Sequence, residues 1–154
     1  MARVLIVGCG CRGQALAREL VAAGHAVRGT TRSPERTEAI AAAGAEPYVG
    51  DPDRIATLME AIAGTTIVCW LLGTADAEAL HGPRLRMLFE KIVDTPVRGV
   101  VYEPGGPARE EGLRVAGAAR ETWQIPLEVL ETDPGEHDAW LAAATAAVQR
   151  LLTA

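Results

Sequence analysis

Several features that would assign the chain to a particular class of protein are missing from its 154 residues. Uninterrupted apolar runs are short: the run Ile67–Leu72 falls far below the roughly 20 residues that a membrane-spanning helix needs. The run Val4–Val7, close to Met1, is likewise shorter than the about 7 to 15 apolar residues of an export signal. We therefore expect a cytoplasmic protein with no membrane partner.

Cysteine, histidine and positive charge are also scarce. Three cysteines without an export signal argue against a disulfide framework, and three dispersed histidines offer no zinc-ligand spacing. We expect no metal site. The net charge of -5 does not suggest the cationic surface that binding to a phosphate backbone requires, so nucleic acid is not an expected partner.

What is present is a regular alternation of short β-branched apolar runs with longer segments rich in Ala, Leu, Glu and Arg. This alternation is typical of parallel strands joined by crossover helices. The predicted strands are Arg3–Val7, Ala26–Thr30, Glu46–Val49, Thr66–Leu72, Gly99–Tyr102 and Leu127–Leu130. The predicted helices are Gly13–Ala23, Pro34–Ala43, Arg54–Ala63, Ala77–Val93, Ala108–Trp123 and Glu136–Leu152.

Two of the predicted strands, beginning at Val4 and Ile67, are apolar at successive positions. Such strands need cover on both faces, as at the centre of a parallel sheet with helices on either side. No linker and no shift in composition indicates a second domain. The pattern predicts a three-layer α/β/α fold in one domain over residues 1–154.

Residues 8–13 read Gly-Cys-Gly-Cys-Arg-Gly and follow the first predicted strand directly. A G-x-G-x-x-G sequence that closes a strand and opens a helix is the arrangement used for dinucleotide binding. Gly8 would allow the tight turn, Gly10 would admit a pyrophosphate, and Gly13 would let the helix lie close to the strand. The motif predicts a Rossmann fold with six parallel strands in the order 3-2-1-4-5-6; the alternative is the same turn without a ligand.

Cys9 and Cys11 stand between these glycines. A thiol is small enough for a loop beside phosphates, and we expect both residues to line the cofactor. The alternative is a redox-active thiol, whose pKa the helix N-terminus and Arg12 could lower.

The end of the second predicted strand bears on the choice of cofactor. NAD-binding proteins of this type carry a carboxylate there, whereas this chain has Thr31, Arg32 and Ser33. Hydroxyls and a guanidinium suit a 2′-phosphate, so we predict NADP rather than NAD. Arg12 could reach the same phosphate, or it could be a solvated residue of the first helical turn.

Three sequence segments together resemble a known family. They are G-x-G-x-x-G at residues 8–13, G-H-x-V-x-G-x-T-R-S-P at residues 24–34, and G-A-E followed by G-D within residues 44–51. The chain resembles, over roughly its first 75 residues, the atypical short-chain dehydrogenase/reductase relatives, which are NAD(P)-binding proteins related to sugar-nucleotide epimerases.

The resemblance implies further cofactor contacts. Asp51 would lie near the adenine ring, although the same residue also suits a turn and helix cap. The segment Leu72, Gly73 and Thr74 would lie beside the ribose and nicotinamide of the cofactor.

The chain departs from the family at the catalytic pair Tyr-x-x-x-Lys. Its only lysine, Lys91, is preceded at that offset by Met87. Because the family places an active-site hydroxyl after the fifth strand, Tyr102 is our first candidate proton donor, followed by Glu103 and His81. The alternatives are a strand-end role for Tyr102 and a surface turn for His81.

Two functions remain open from the sequence. The first is a small NADP-dependent oxidoreductase acting on a small-molecule substrate. The second is a non-catalytic NADP-binding redox sensor or regulatory subunit with a protein partner. A more distant alternative is a Rossmann domain for coenzyme A or a sugar nucleotide. We also consider a homodimer, because pairing would close a pocket on so small a unit.

Overall fold

A six-stranded parallel sheet forms the centre of the computed structural model, which describes residues 2–75 and 77–154. The strands are β1 (Arg3–Val7), β2 (Ala26–Thr31), β3 (Glu46–Val49), β4 (Ile67–Trp70), β5 (Gly99–Tyr102) and β6 (Leu127–Val129). Their order across the sheet is β3-β2-β1-β4-β5-β6. The predicted strand order and fold class are therefore confirmed.

The register of the central strands aligns their apolar residues. Val4 of β1 stands opposite Val27 of β2 on one side and opposite Ile67 of β4 on the other. The last residue of β1, Val7, is level with Trp70 at the end of β4. The loops that follow β1 and β4 therefore begin side by side.

Helices follow the strands as predicted, with differences in length. The α-helices in the described residues are α1 (Cys11–Ala22), α2 (Thr37–Ala42), α3 (Met59–Ile62), α4 (Pro83–Ile92), α5 (Arg109–Trp123) and α6 (His137–Thr153). Short 3-10 turns at Pro34–Arg36, Ile55–Leu58 and Glu78–Leu80 precede α2, α3 and α4.

The predicted helix Ala77–Val93 is interrupted at Pro83, where α4 begins. Proline has no N–H to donate into the preceding turn, and it disfavours helical backbone at the residue before it. The segment before Pro83 forms only the 3-10 turn Glu78–Leu80. Asp76 lies outside the described residues.

The core consists of two apolar clusters, one on each face of the sheet. Val4 and Ile6 pack with α1, α2 and α6, whereas Leu5 and Val7 pack with α3, α4 and α5. All four side chains are at most 1% exposed. This confirms that both faces of β1 are covered, as its uninterrupted apolar run predicted.

The parallel arrangement determines where a ligand can bind. The carboxyl ends of all six strands lie along one edge, and chain connectivity reverses direction between β1 and β4. Such a switch point forms a crevice in open α/β sheets. Among the described residues, no helix has the length and apolar character needed to cross a bilayer.

Candidate functional site

The loop between β1 and α1 is shaped by Gly8. Its φ is +87°, a backbone conformation that side-chain-bearing residues rarely adopt. A Cβ at this position would also lie 2.7 Å from Cδ2 of Leu72 and 2.8 Å from the carbonyl oxygen of Leu71. Only glycine fits here without displacing the loop that follows β4.

Gly10 and Gly13 meet opposite surroundings. A Cβ on Gly10 would have no atom of the described protein within 4 Å, so this residue borders open space. A Cβ on Gly13 would lie 3.1 Å from Cγ2 of Ile6, because α1 packs directly on β1. These are the separate roles that the motif predicts for a pyrophosphate-binding turn.

The first turn of α1 supplies donors beside that open space. The helix begins at Cys11, and no side chain of the described residues caps its N-terminus. The first N–H groups of any α-helix lack a partner within the helix and carry partial positive charge, and here no capping side chain of the described residues takes them. This arrangement fits a diphosphate, because the donors are present and Gly10 leaves room for it to approach.

A cleft of about 310 Å³ opens around this turn. All of the loop residues 8–13 line it, and the remaining lining comes from the segments that end or follow β2, β3 and β4. The predicted cofactor residues along the cleft are Gly8, Cys9, Gly10, Cys11, Arg12, Gly13, Thr31, Arg32, Leu72 and Thr74. Thr30, Arg36, Gly50, Pro52, Leu71 and Ala75 also line it.

Three predicted cofactor residues lie beside the cleft rather than along it. The N–H of Ser33 donates to Oγ1 of Thr31 at 3.1 Å, which shapes the turn after β2. Oδ1 of Asp51 accepts from the N–H of Asp53 at 2.9 Å, as expected for the turn role. Gly73 donates its N–H to Oε1 of Glu103 at 3.0 Å.

Arg36 belongs to the cleft but was missed from the sequence. It lies four residues after Arg32 on the 3-10 turn that begins at Pro34, and both arginines line the cleft. The available signal was a second arginine only four residues beyond Arg32, across the Ser33-Pro34 turn. Neither arginine forms an ion pair in the described part of the chain.

The two thiols of the loop differ in exposure. Cys9 is 5% exposed and lies against Gly29, where a Cβ would come within 2.6 Å of its Sγ. This burial raises the pKa of the Cys9 thiol to about 12. Cys11 is exposed at the first position of α1. A reactive thiolate role is therefore disfavoured at Cys9.

Arg12 and Glu103 form an ion pair beside the cleft. The guanidinium of Arg12 donates to both carboxylate oxygens of Glu103, with Nη2 and Oε1 3.0 Å apart. Its Nη2 also approaches Oγ1 of Thr74 at 3.4 Å. The contacts of Arg12 are thus on the β4 and β5 side of the sheet, whereas Arg32 follows β2 on the other side of β1.

Trp140 of α6 completes this arrangement. Its indole N–H donates to Oε2 of Glu103 at 2.8 Å, and Cζ of Arg12 lies 4.7 Å from the centre of the Trp140 ring. The carboxylate of Glu103 also accepts the N–H of Gly73. Glu103, one of the candidate proton donors, therefore accepts hydrogen bonds from three different residues and is only 2% exposed.

The other candidate proton donors pair with each other on the buried side of β5. Oη of Tyr102 lies 2.6 Å from Nδ1 of His81, and Nε2 of His81 lies 3.1 Å from the carbonyl oxygen of Leu72. Because a carbonyl only accepts, Nε2 carries the proton, and Nδ1 accepts from the Tyr102 hydroxyl. Neither side chain lines the cleft.

Burial acts on the pKa values of both residues. It raises the pKa of Tyr102, while the charge of Arg109 opposes this shift. Burial lowers the pKa of His81, and the opposing effects of the Leu72 carbonyl and the Glu103 charge are smaller. Both shifts favour the neutral forms that the hydrogen bonds require.

Comparisons with known proteins agree with this geometry. Residues 8–102 match a family described as NAD(P)H-binding. Among curated proteins, no significant match was found. Many solved structures share the fold, and three of them illustrate its range.

The first is a Bacillus halodurans protein assigned as an NAD-dependent epimerase/dehydratase, with 17% identity and a TM-score of 0.70 over 84% of this chain and 69% of that one. The second is the triphenylmethane reductase of Citrobacter sp. complexed with NADP(H), with 20% identity and a TM-score of 0.68 over 84% of this chain and 49% of that one. The third is the UDP-glucuronic acid 4-epimerase of Bacillus cereus in complex with NAD, with 13% identity and a TM-score of 0.66 over 84% and 56%.

The chain spans about half the length of the second and third structures, and at these identities the likeness shows the fold alone. The family match covers the glycine loop and the strands β2, β3, β4 and β5. The resemblance stated from the sequence is confirmed, and the chain belongs to the NAD(P)H-binding family, with an NAD(P)-binding Rossmann domain.

Proposed function

We propose that this domain binds NADP(H) in preference to NAD(H). The observation that carries the proposal is the composition of the cleft beyond β2, which both Arg32 and Arg36 line, whereas no acidic side chain of the described residues does. A carboxylate at this place would hold the free ribose hydroxyls of NAD and repel a 2′-phosphate. Two guanidinium groups are suited to a phosphate instead.

The remaining cation of the cleft supports this assignment. Arg12 is held by Glu103, which follows β5 on the other side of β1 from β2, so it is not placed to act at the adenosine end. Thr31 uses its hydroxyl to accept from the N–H of Ser33, which orients the turn that carries Arg32. The 2′-phosphate would therefore depend on Arg32 and Arg36.

Calorimetric titration with NADP and NAD tests the preference. Arg32→Gln and Arg36→Gln each remove charge-assisted hydrogen bonds worth about 1.5 to 3 kcal/mol, so each should weaken NADP binding about tenfold or more. Affinity for NAD should change little. Arg32→Glu should discriminate further against NADP.

Arg120→Gln is the matched control, because Arg120 is exposed on α5 and does not line the cleft. It should leave both affinities at the wild-type value. Equal affinities of the wild-type protein for NADP and NAD would contradict the proposal.

Cofactor binding serves one of two functions. In the first, the domain transfers hydride between NADP(H) and a small-molecule substrate that enters at the carboxyl edge of the sheet. In the second, the domain is a non-catalytic sensor or regulatory subunit. The second is favoured by the burial of Tyr102 and the hydrogen-bonded state of Glu103, since neither offers a free proton donor to the cleft.

A screen of NADPH oxidation against quinones, aldehydes and enones separates these functions. Turnover that is lost in the Arg32→Glu variant would support the oxidoreductase. A protein that binds NADPH tightly and consumes none with any acceptor would support the sensor.

A further inference from the structure

The side chain of Arg12 joins the cofactor cleft to a buried network. It lines the cleft and is 20% exposed, whereas the side chain of its partner Glu103 is 3% exposed. One edge of the guanidinium meets the carboxylate of Glu103, and one face lies over the ring of Trp140. The bidentate ion pair and the cation–π contact together fix the position and the orientation of the Arg12 guanidinium.

Glu103 is itself held in place from several directions. Gly73 N–H and the Trp140 indole N–H donate to different oxygens of its carboxylate, at 3.0 and 2.8 Å. A Cβ on Gly73 would come within 2.6 Å of Cγ of Glu103, so the loop after β4 packs directly on this side chain. The carboxylate cannot move without breaking several hydrogen bonds, and Arg12 is anchored accordingly.

Anchoring leaves part of the guanidinium available to a ligand. A guanidinium has five N–H donors, and the contacts with Glu103 and Thr74 use only some of them. Arg12 is also the second residue of α1, whose first three residues line the cleft. A cation fixed at this point lies beside the place where the helix attracts phosphate.

The cleft therefore has cations on both sides of β1. Arg32 and Arg36 follow β2, on one side of β1. The partners of Arg12, which are Thr74 and Glu103, follow β4 and β5 on the other side.

Taking the proposed cofactor as given, we propose that Arg12 binds the phosphate on the nicotinamide side of NADP(H), with Glu103 and Trp140 as positioning residues. The ion pair explains how the cation can be held there: an unpaired Arg12 beside the Trp140 ring would be free to adopt other rotamers.

The proposal is tested with two ligands that differ at that phosphate. NADP contains both phosphates of the pyrophosphate, whereas 2′,5′-ADP keeps the adenosine, the 2′-phosphate and a single 5′-phosphate. The double variant Arg12→Gln/Glu103→Gln removes the ion pair without leaving either charge buried and unpaired. It should bind NADP about tenfold more weakly or worse, while its affinity for 2′,5′-ADP stays within about twofold of wild type.

Arg18→Gln is the matched control, since Arg18 is exposed on α1 outside the cleft lining, and it should change neither affinity. Arg12→Lys is the conservative variant. It keeps the positive charge but cannot make the bidentate contact with Glu103, so its NADP affinity should lie between those of the double variant and wild type.

Trp140 gives an independent readout, because Arg12 lies against its ring. NADP should change the fluorescence of wild-type protein, and 2′,5′-ADP should change it much less. Trp140→Phe should abolish the difference while Trp70 and Trp123 remain. An ion pair with a purely structural role would not distinguish the two ligands.

The proposal is overturned if the double variant binds NADP as wild type does, or if both ligands weaken by the same factor. Failure of the proposed cofactor preference looks different, because wild-type protein would then bind NAD as tightly as NADP. In that case the same comparison with NAD and AMP decides the role of Arg12. A wild-type protein that binds none of these nucleotides overturns both proposals.

Discussion

The hydroxyl of Tyr102 lies 2.6 Å from Nδ1 of His81, inside the apolar cluster between the sheet and α4 and α5. The backbone of Gly112 passes directly over this hydroxyl, so that a Cβ there would collide with it. The pair connects the end of β5 to the segment before α4. Through Nε2, His81 then holds the carbonyl of Leu72, which belongs to the wall of the cleft.

Removing the hydroxyl should affect stability more than cofactor binding. Tyr102→Phe leaves Nδ1 of His81 buried without a donor, which costs about 1 to 3 kcal/mol of unfolding free energy. Urea denaturation measures this loss, and calorimetry should show NADP affinity within about twofold of wild type.

The control is Tyr48→Phe, because the described residues include no hydrogen-bond partner for the Tyr48 hydroxyl. That variant should be as stable as wild type. If Tyr102→Phe were equally stable, the Tyr102–His81 hydrogen bond would contribute nothing to the fold.

The lowered pKa of His81 predicts a loss of stability in mild acid. Burial, the main cause, disfavours the charged imidazolium in the folded protein, whereas the unfolded chain titrates at the ordinary pKa of about 6.5. Below that pH the unfolded state binds more protons than the folded state. The free energy of unfolding should therefore fall as pH decreases through 6.5 towards the folded pKa of His81.

Urea titrations between neutral pH and pH 5 measure this slope. His81→Asn should flatten it, because its side chain does not titrate in this range. His137→Gln, at an exposed position, is the control and should retain the wild-type slope. A wild-type protein whose stability rises on acidification would contradict the assignment of His81 as neutral.

The exposure of the thiols predicts selective labelling. Cys11 is exposed and lines the cleft, whereas burial raises the pKa values of Cys9 and Cys69 to about 12. Iodoacetamide should modify Cys11 first, as read by peptide mass spectrometry, because the thiolate is the reactive form. Saturating NADP should slow this modification.

Cys11→Ser should remove the rapid phase and leave the slow labelling of the buried thiols. Labelling of Cys9 at the rate of Cys11 would show that the loop opens in solution. Equal labelling with and without NADP would place the nucleotide away from α1.

The fold was readily predicted because its determinants are local. Each face of β1 is apolar, and the glycines of residues 8–13 specify the turn and the close approach of α1. The boundary at Pro83 was not predicted, because the sequence pattern indicates a single helix, Ala77–Val93, across this proline, whereas α4 begins at it. Such boundaries depend on one backbone N–H rather than on the apolar pattern.

The site was less predictable because its contacts connect distant positions. The sequence makes Glu103 a candidate proton donor, and Arg12 either a second ligand for the 2′-phosphate or a solvated residue of the first helical turn. Arg12 and Glu103 are 91 positions apart in the sequence, and Trp140, which donates to Glu103, lies a further 37 positions along the chain. No periodicity links three such positions, because only the packing of α1 and α6 on one face of the sheet brings them together.

Gly8 and Gly10 of the loop between β1 and α1 are a matched pair of sites for alanine substitution. Gly8→Ala forces a Cβ into a positive-φ backbone and against Leu71 and Leu72, which should destabilise the protein by about 2 to 5 kcal/mol. At Gly10 a Cβ would meet no atom of the described protein, and φ is −82°. Gly10→Ala should therefore change stability by no more than about 1 kcal/mol, the usual effect of alanine at a helix N-cap.

Gly10→Ala, the more stable of the two variants, should nevertheless lose affinity for the cofactor. The methyl group of Gly10→Ala occupies the space through which a pyrophosphate would approach α1, so NADP affinity should fall about tenfold or more in a protein that is still folded. Urea denaturation and calorimetry on the same samples measure both quantities. The added methyl group would meet no atom of the described protein, so only a bound nucleotide could collide with it. A stable Gly10→Ala variant with wild-type NADP affinity would therefore mean that the nucleotide does not pass over this turn.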